Sequence, residues 1–406
     1  MPRTQLQGHC DKESCEDLLY CGGGAASNHI QFNSRCPMIA APSISLWREV
    51  VQAIATGGLS CLTLAVLTYY STTFRWKGGK YTLKALSLVW MSLMLLLPFY
   101  IPLRLGLSAS TVAILNFIGA WKAIDVHMQT TPHAITNNGF FPFAVHFFSP
   151  VEFKLAIAKD DDSSKKGSIQ RPPKALWRKE IFDVVITVAG LSACASIRNV
   201  LQACSLPYSS PLPSLMELGR RALILYIEVW AIYFFLSLFS GVFSALLAIL
   251  QFQAKIMFDQ PLLKSTSISD FWSRRWNMLI HGLFKRTVFR PLTRQGFPPW
   301  FAGALAFVIS GAFHEYAFSL SQPRIHESLG RCLCFFVAQA PIVSAEKAMR
   351  NRLEVPWPLK NNAAACTVVW TVLLLPIAPL FLHPLRTSGV LDQIFSLVPR
   401  IVALAA

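Results

Sequence analysis

The stretch Ser310-Gly-Ala-Phe-His314-Glu315-Tyr316 sets an imidazole and a carboxyl group side by side inside an apolar run from about Trp300 to Leu320. At membrane depth an ionisable side chain costs about 2.5–3.5 kcal/mol on insertion scales, so its presence there signals a functional site by default. An uncharged imidazole in such a place can take up a proton during a reaction. On a helix Glu315 points about 100° away from His314, which suits it to holding a neighbouring helix. Ser310, one turn earlier, shares the face of His314 and can orient its ring, while Gly311 leaves room for a ligand or a close helix. The opposing reading is a structural histidine bonded within a helix bundle.

A second segment, Ser269-Asp270-Phe271-Trp272-Ser273-Arg274-Arg275-Trp276-Asn277-Met278-Leu279-Ile280-His281, precedes it in the most basic part of the chain. Ser269 or Asp270 is a good N-cap and the next proline is Pro291, so the pattern predicts a helix of about five turns. On that helix Arg274, Asn277 and His281 share a face, and Trp272 and Trp276 form an aromatic stripe placed for the headgroup interface. The bland reading is an amphipathic helix anchored by its Trp and Arg residues.

Those segments need a scaffold, and composition says which. Of the 406 residues 53% are hydrophobic and only 14% charged, with 29 Phe and 11 Trp. A soluble domain carries roughly 25% charge. A bilayer core of about 30 Å takes about 20 apolar residues per helix, and such runs recur at about 50–70, 85–103, 105–120, 181–200, 222–251, 299–320, 331–346 and 363–382. The expected fold is all-α: a polytopic membrane protein with about eight helices around an intramembrane chamber. The third and seventh spans are short, and the fifth is long enough to tilt or to break near Gly241. A net charge of +16 would point to nucleic acid in a soluble protein, but here the basic residues fall on alternate loops. Arg75 to Lys84, Lys154 to Lys179, Lys255 to Arg294 and Lys347 to Lys360 face the cytosol by the positive-inside rule, which puts both termini on the lumenal side. Nucleic acid is not an expected partner.

The chain divides into a tail at 1–45 and a single membrane domain at 46–406. The latter holds a flexible cytosolic loop at 154–180, rich in charge and proline, and a motif loop at 252–298. The tail has no apolar core of a cleaved signal peptide, so the first span acts as its own anchor. It holds Cys10, Cys15, Cys21 and Cys36, spaced unlike any tight zinc site and free to form two lumenal disulfides or none. Cys332 and Cys334 lie in an apolar run and read as packing residues. The aromatic segment Asn138 to Phe148 suits the headgroup interface, and Glu228 reads as half of an interfacial ion pair with Arg220 or Arg221.

Taken together, Asp270-Phe-Trp-Ser-Arg-Arg-Trp-Asn277, Lys285-Arg-Thr-Val-Phe-Arg-Pro291 and Ser310-Gly-Ala-Phe-His-Glu-Tyr316 resemble, in order and spacing, the wax synthase branch of the membrane-bound O-acyltransferases. Members carry Phe-Trp-Gly-Arg-Arg-Trp-Asn followed by Ser-Gly-x-x-His-Glu; here Ser273 stands for the glycine. The likeness is specific across about 265–320 and general, through hydropathy, elsewhere. The long tail and the 154–179 loop are more similar to fungal relatives that acylate secondary metabolites than to compact plant wax synthases.

The resemblance implies an endoplasmic-reticulum enzyme that moves an acyl group from acyl-CoA to the hydroxyl of a lipophilic acceptor without a covalent enzyme intermediate. His314 would accept the hydroxyl proton and Asn277 would donate to the thioester carbonyl. Arg274, Arg275, Lys285, Arg286 and Arg290 would meet the coenzyme phosphates, with Ser310, Glu315, Trp276 and His281 in support. Acyl-CoA is then a co-substrate, acetyl-CoA foremost, with no permanently bound cofactor and no metal. The acyl chain and the alcohol would enter from the lipid side. Acetyl transfer to a terpenoid or meroterpenoid alcohol is the first expectation, and a long-chain wax ester synthase the second.

Other classes fit less well. A transporter would show inverted repeats or paired broken helices, which are not visible. A di-iron desaturase needs clustered histidines, and the nine here are dispersed. A serine hydrolase would carry Gly-x-Ser-x-Gly, which this chain lacks. A non-catalytic membrane scaffold is the remaining alternative, and it predicts that replacing His314 changes nothing.

Overall fold

A computed structural model describes residues 38–73, 77–100, 105–155, 176–203, 215–318, 328–352 and 375–402. The tail cysteines, most of the 154–180 loop and most of the run 363–382 lie outside these residues.

The fold is all-α and that of a polytopic membrane protein. Lipid offers no partner to a free backbone N–H or carbonyl, so apolar runs close their bonds within helices. Six of these are long and apolar enough to cross a membrane. They are α1 (Ile44–Thr73), α2 (Lys77–Tyr100), α3 (Gly106–His127), α6 (Leu176–Ala203), α7 (Leu215–Ile249) and α12 (Pro299–Phe318). Between α3 and α6 lie the short α4 (His133–Thr136) and α5 (Phe140–Phe148). Between α7 and α12 come α8 (Pro261–Lys264), α9 (Ile268–Asp270), α10 (Met278–Phe284) and α11 (Arg290–Arg294). The helices α13 (Arg331–Arg352), α14 (Ala378–Thr387) and α15 (Val390–Ser396) complete the set among the described residues.

The expected eight spans become six among the described residues. The seventh is present as α13, which is not among those six. The eighth falls mostly outside the described residues. The fifth span does not break: α7 runs unbroken through Gly241, because that glycine serves contact rather than bending. A Cβ there would lie 2.8 Å from Val184 Cγ2 of α6, so the small residue lets two helices approach closely.

In α2 a neighbouring helix supplies a bond that a proline removes. Pro98 in α2 has no N–H for the carbonyl of Met94. Buried Asn116 of α3 donates its Nδ2 to that oxygen at 2.6 Å. Two antiparallel strand pairs tie distant loops together. Strand β1 (Met38–Ala40) pairs with β4 (Arg400–Val402), and β2 (Phe153–Leu155) pairs with β3 (Phe252–Ala254). The aromatic segment expected at the headgroups is instead α5, whose Phe143 and Phe147 sink into a core cluster with Phe153 and Phe252. Large apolar side chains on α2 and α6, such as Val89 and Phe182, are exposed, as faces turned to lipid must be.

Two further expectations change. Cys332 is buried, as packing requires, but Cys334 is exposed. Glu228 does not pair with Arg220 or Arg221, which both bind Glu217 one turn away. It lies fully buried in α7 between Arg198 of α6, at 3.1 Å, and Arg386 of α14. The i, i+3 and i, i+4 spacings made Glu217 the nearer acid.

Candidate active site

The motif segment is two short helices with a break between them, where the sequence pattern predicts one. Ser267, rather than Ser269 or Asp270, caps α9 by accepting the N–H of Asp270 at 2.8 Å. A single π-helical turn follows at Phe271–Arg275. Trp276 is then extended and Asn277 adopts φ 45° and ψ 65°, a left-handed conformation that asparagine tolerates better than most residues. Asn277 starts α10 by accepting the N–H of Ile280 at its Oδ1, 3.3 Å away. A competing local bond of this kind is why asparagine favours caps over helix interiors. The carboxamide is therefore held by its oxygen, while its Nδ2 has no partner among the described residues and stays available to donate.

Asn277 and His314 line one cavity of about 260 Å³. Its walls are apolar and aromatic: Trp272 and Trp276 face it rather than forming an interface stripe, with Phe271, Phe336 and Phe381. The His314 ring stacks on Phe336 of α13 at 4.3 Å and meets Phe381 of α14 edge-on at 5.4 Å. Its Nδ1 lies 2.7 Å from the carbonyl oxygen of Ser310. A carbonyl only accepts, so in the neutral ring Nδ1 carries the proton and Nε2 keeps its lone pair. The Ser310 contribution to His314 is thus its backbone carbonyl.

The aromatic box depends on α13 lying close to α12. Gly311 permits it, since a Cβ there would sit 3.0 Å from the Leu333 Cα. Glu315 fastens it: its carboxylate accepts the N–H groups of Gly330 at 2.8 Å and Leu333 at 3.1 Å, the free donors at the start of α13. Trp272 is fixed in turn by donating its indole N–H to Gln339 Oε1 at 3.0 Å.

Beside this cavity lies a second, of about 470 Å³, lined by Lys255, Arg274 and Arg286 with Glu152 and Asp259. Met257 lines both, and its carbonyl accepts the N–H of Met278 directly after Asn277. The predicted basic residues therefore separate into groups. Arg274 is exposed, lines the second cavity and pairs loosely with Asp270 at 3.5 Å. Arg275 is committed to Asp270 at 2.7 Å and Asp259 at 3.0 Å. Burial alone would raise the Asp270 carboxyl, but Arg275, the Thr266 N–H and Arg274 together hold the group below its usual range. Lys285 and Arg290 are exposed and line neither cavity. His281 lines neither as well; burial and nearby Lys285 keep its imidazole below its usual pKa.

Arg286, expected among the phosphate-binding residues, lines the second cavity and is held there by two carboxylates. Its guanidinium bridges fully buried Asp125 at 3.1 Å and Glu152 at 2.8 Å. Lys255 adds a bond to Glu152 at 2.8 Å. Although burial pushes the Glu152 carboxyl up, Arg286 and Lys255 prevail and hold it below the ordinary carboxylate range. Nearby, Lys122 is fully buried and donates to the His146 and Ser149 carbonyls that end α5. No sequence signal joins Asp125, Glu152 and Arg286, which are far apart in the chain. Lys255 stood among the basic residues only as a mark of topology. Phe336, Phe381 and Gln339 were indistinguishable from ordinary core.

The arrangement sets an unprotonated imidazole nitrogen and an amide donor on an apolar cavity that adjoins a charged one. Residues 255–338, which include both groups, match the model of the Membrane bound O-acyl transferase family. A probable long-chain-alcohol O-fatty-acyltransferase of Arabidopsis thaliana is 32% identical over 36% of this chain and 42% of its own. A long-chain-alcohol O-fatty-acyltransferase of Simmondsia chinensis is 26% identical over 70% of this chain and 78% of its own. An acyl-CoA–sterol O-acyltransferase of Arabidopsis thaliana is 25% identical over 60% and 65%. The chain spans between 38% and 64% of the length of the first three relatives it matches. Over the matched segment the chain is thus similar to the membrane bound O-acyl transferase family, and more widely to these long-chain-alcohol and sterol acyltransferases.

Proposed function

We propose that this protein transfers an acyl group from acyl-CoA to the hydroxyl of a lipophilic alcohol. The observation that carries this reading is that His314, with Nε2 left without a proton in the neutral ring, and Asn277, with Nδ2 unpartnered among the described residues, line the same apolar cavity. The alcohol gives its proton to His314 Nε2 as its oxygen attacks the thioester carbon. Negative charge gathers on the carbonyl oxygen, where Asn277 Nδ2 donates. The C–S bond then breaks and the thiolate of coenzyme A leaves, taking the proton from the imidazolium. No covalent enzyme intermediate is required.

In this reading the coenzyme phosphates lie in the second cavity, on Arg274 and Lys255, while Arg286 and Arg275 shape the cavity wall. The thioester reaches the apolar cavity past Met257. Lys285 and Arg290 act from the surface, as general positive charge on the cytosolic side. The endoplasmic reticulum is the expected membrane.

Two acyl donors are favoured by different observations. A volume of about 260 Å³ is at the lower limit of small-molecule sites, about 300 Å³; it favours acetyl transfer, with a terpenoid-type alcohol in a tailoring reaction. Against that, the lining of α7 runs from Tyr226 to Phe243, about 26 Å of helix at 1.5 Å per residue. A cavity so drawn out suits a linear chain, and the activities of the relatives favour long-chain alcohols and fatty acyl donors. The test is ester formation by membranes containing the protein, given acetyl-CoA or palmitoyl-CoA and a panel of fatty, sterol and terpenoid alcohols, with products identified by mass spectrometry. No ester from any pairing would refute acyl transfer.

A further inference from the structure

The residues of α7 that face the apolar cavity follow a three-and-four spacing, Tyr226, Val229, Leu236, Phe239 and Phe243 among them. This is the stripe of one helix face, so α7 forms a wall along the length of the cavity. Asn277, Trp276 and Met257 mark the end beside the charged cavity. The other end is built by Leu107 in the first turn of α3, by Tyr226, and by Leu385, Val390 and Ile394 of the α14–α15 pair.

That far end is unusually well tied down. Glu228, fully buried beside Tyr226, binds Arg386 of α14 and Arg198 of α6, and Arg198 also reaches Asp392 of α15 at 2.9 Å. Gln393 of α15 accepts the N–H of Leu107 at 2.8 Å, filling one of the free donors that begin α3. Buried ion pairs add little net stability against apolar replacements, but they fix one geometry, because removing a partner strands a charge. An end wall held this way cannot slide to admit a longer ligand.

We infer that the α14–α15 pair is the stop of a chain-length ruler, with Val390 and Tyr226 setting how many carbons of the donor acyl chain fit beyond His314. The inference rests on the acyl-transfer reading and adds the residues that select the donor. His314 meets Phe381 of α14, and Leu385 and Val390 follow it toward the stop. An acyl chain entering past Met257 therefore extends to Val390 once its carbonyl has reached Asn277.

The test is competition among a ladder of saturated acyl-CoA donors, from acetyl to arachidoyl, at fixed alcohol, with the wild type and Val390→Ala, Tyr226→Ala and Val390→Trp. The two truncations are expected to raise turnover of longer donors relative to shorter ones, and Val390→Trp to lower it, by about tenfold per methylene admitted or excluded. Variants with opposite expected signs keep the test informative if one of them fails to accumulate, which an immunoblot of the membranes reveals. A donor profile identical to the wild type in all accumulating variants overturns the ruler. So does a shift confined to a parallel ladder of alcohols, or a wild type restricted to acetyl-CoA. Absence of any ester from the wild type would instead refute the acyl-transfer reading itself.

Discussion

Ile280 donates its backbone N–H to Asn277 Oδ1 at 3.3 Å, so one side chain both caps α10 and offers its amide nitrogen to the cavity. The two duties separate on substitution. Asn277→Asp keeps an oxygen for the cap and tolerates the left-handed backbone, but removes the donor. Its kcat is expected to fall about 10²–10³-fold, the usual loss of one oxyanion donor, with thermal stability in detergent near that of the wild type. Asn277→Ala should show the same fall in kcat together with about 1 kcal/mol of lost stability. Normal kcat in both would remove Asn277 from the chemistry.

Arg286 and Arg274 should behave differently although both line the charged cavity. Arg286→Ala strands Asp125 and Glu152, and breaking such a buried pair costs about 3–5 kcal/mol. The expected result is poor accumulation and a lower melting temperature. Arg274→Ala removes an exposed guanidinium; it should raise KM for acyl-CoA several-fold and leave melting unchanged. Equal effects on KM in stable proteins would return Arg286 to the phosphate site.

Glu152 gives a pH dependence of stability. Its carboxyl is held below the usual range in the fold by Arg286 and Lys255, so the stabilisation is complete above the unfolded pKa, near ~4.3. It is lost as pH falls through the lowered folded value. Melting temperature should drop on acidification below about pH 4, and Glu152→Gln should start lower and show a shallower drop. Parallel curves for the two proteins would contradict this.

Gly311 is predicted to control the aromatic box. In Gly311→Ala the new methyl meets Leu333 backbone at 3.0–3.2 Å, which pushes α13 and its Phe336 away from His314. Turnover should fall more than stability does, and Gly303→Ala, on the same helix with open space around it, is the control. Comparable losses at both positions would show a general sensitivity of α12.

Much of this was legible from residues alone. Apolar run length found the six helices, since in lipid the backbone has no alternative. The rarity of an ionisable group at depth singled out His314, and helical geometry separated Glu315 from it. The break at Trp276–Asn277 was not legible, because a capping asparagine and a helix-interior asparagine look alike without the bond to Ile280. The ion pairs of Arg286 were hidden for a similar reason: a basic residue in a basic loop carries no mark of the two carboxylates that fold against it. Phe336 and Phe381 were hidden in composition, being aromatic residues in a bundle full of them.

The central claim is that the free nitrogen of His314 takes the alcohol proton. Its most direct test compares ester formation by equal amounts of wild-type and His314→Ala protein in membranes, under saturating acyl-CoA and alcohol. The variant is expected to lose about 10²–10⁴-fold in rate, the range for a positioned general base, with acyl-CoA binding retained. A variant that makes ester at the wild-type rate would contradict it.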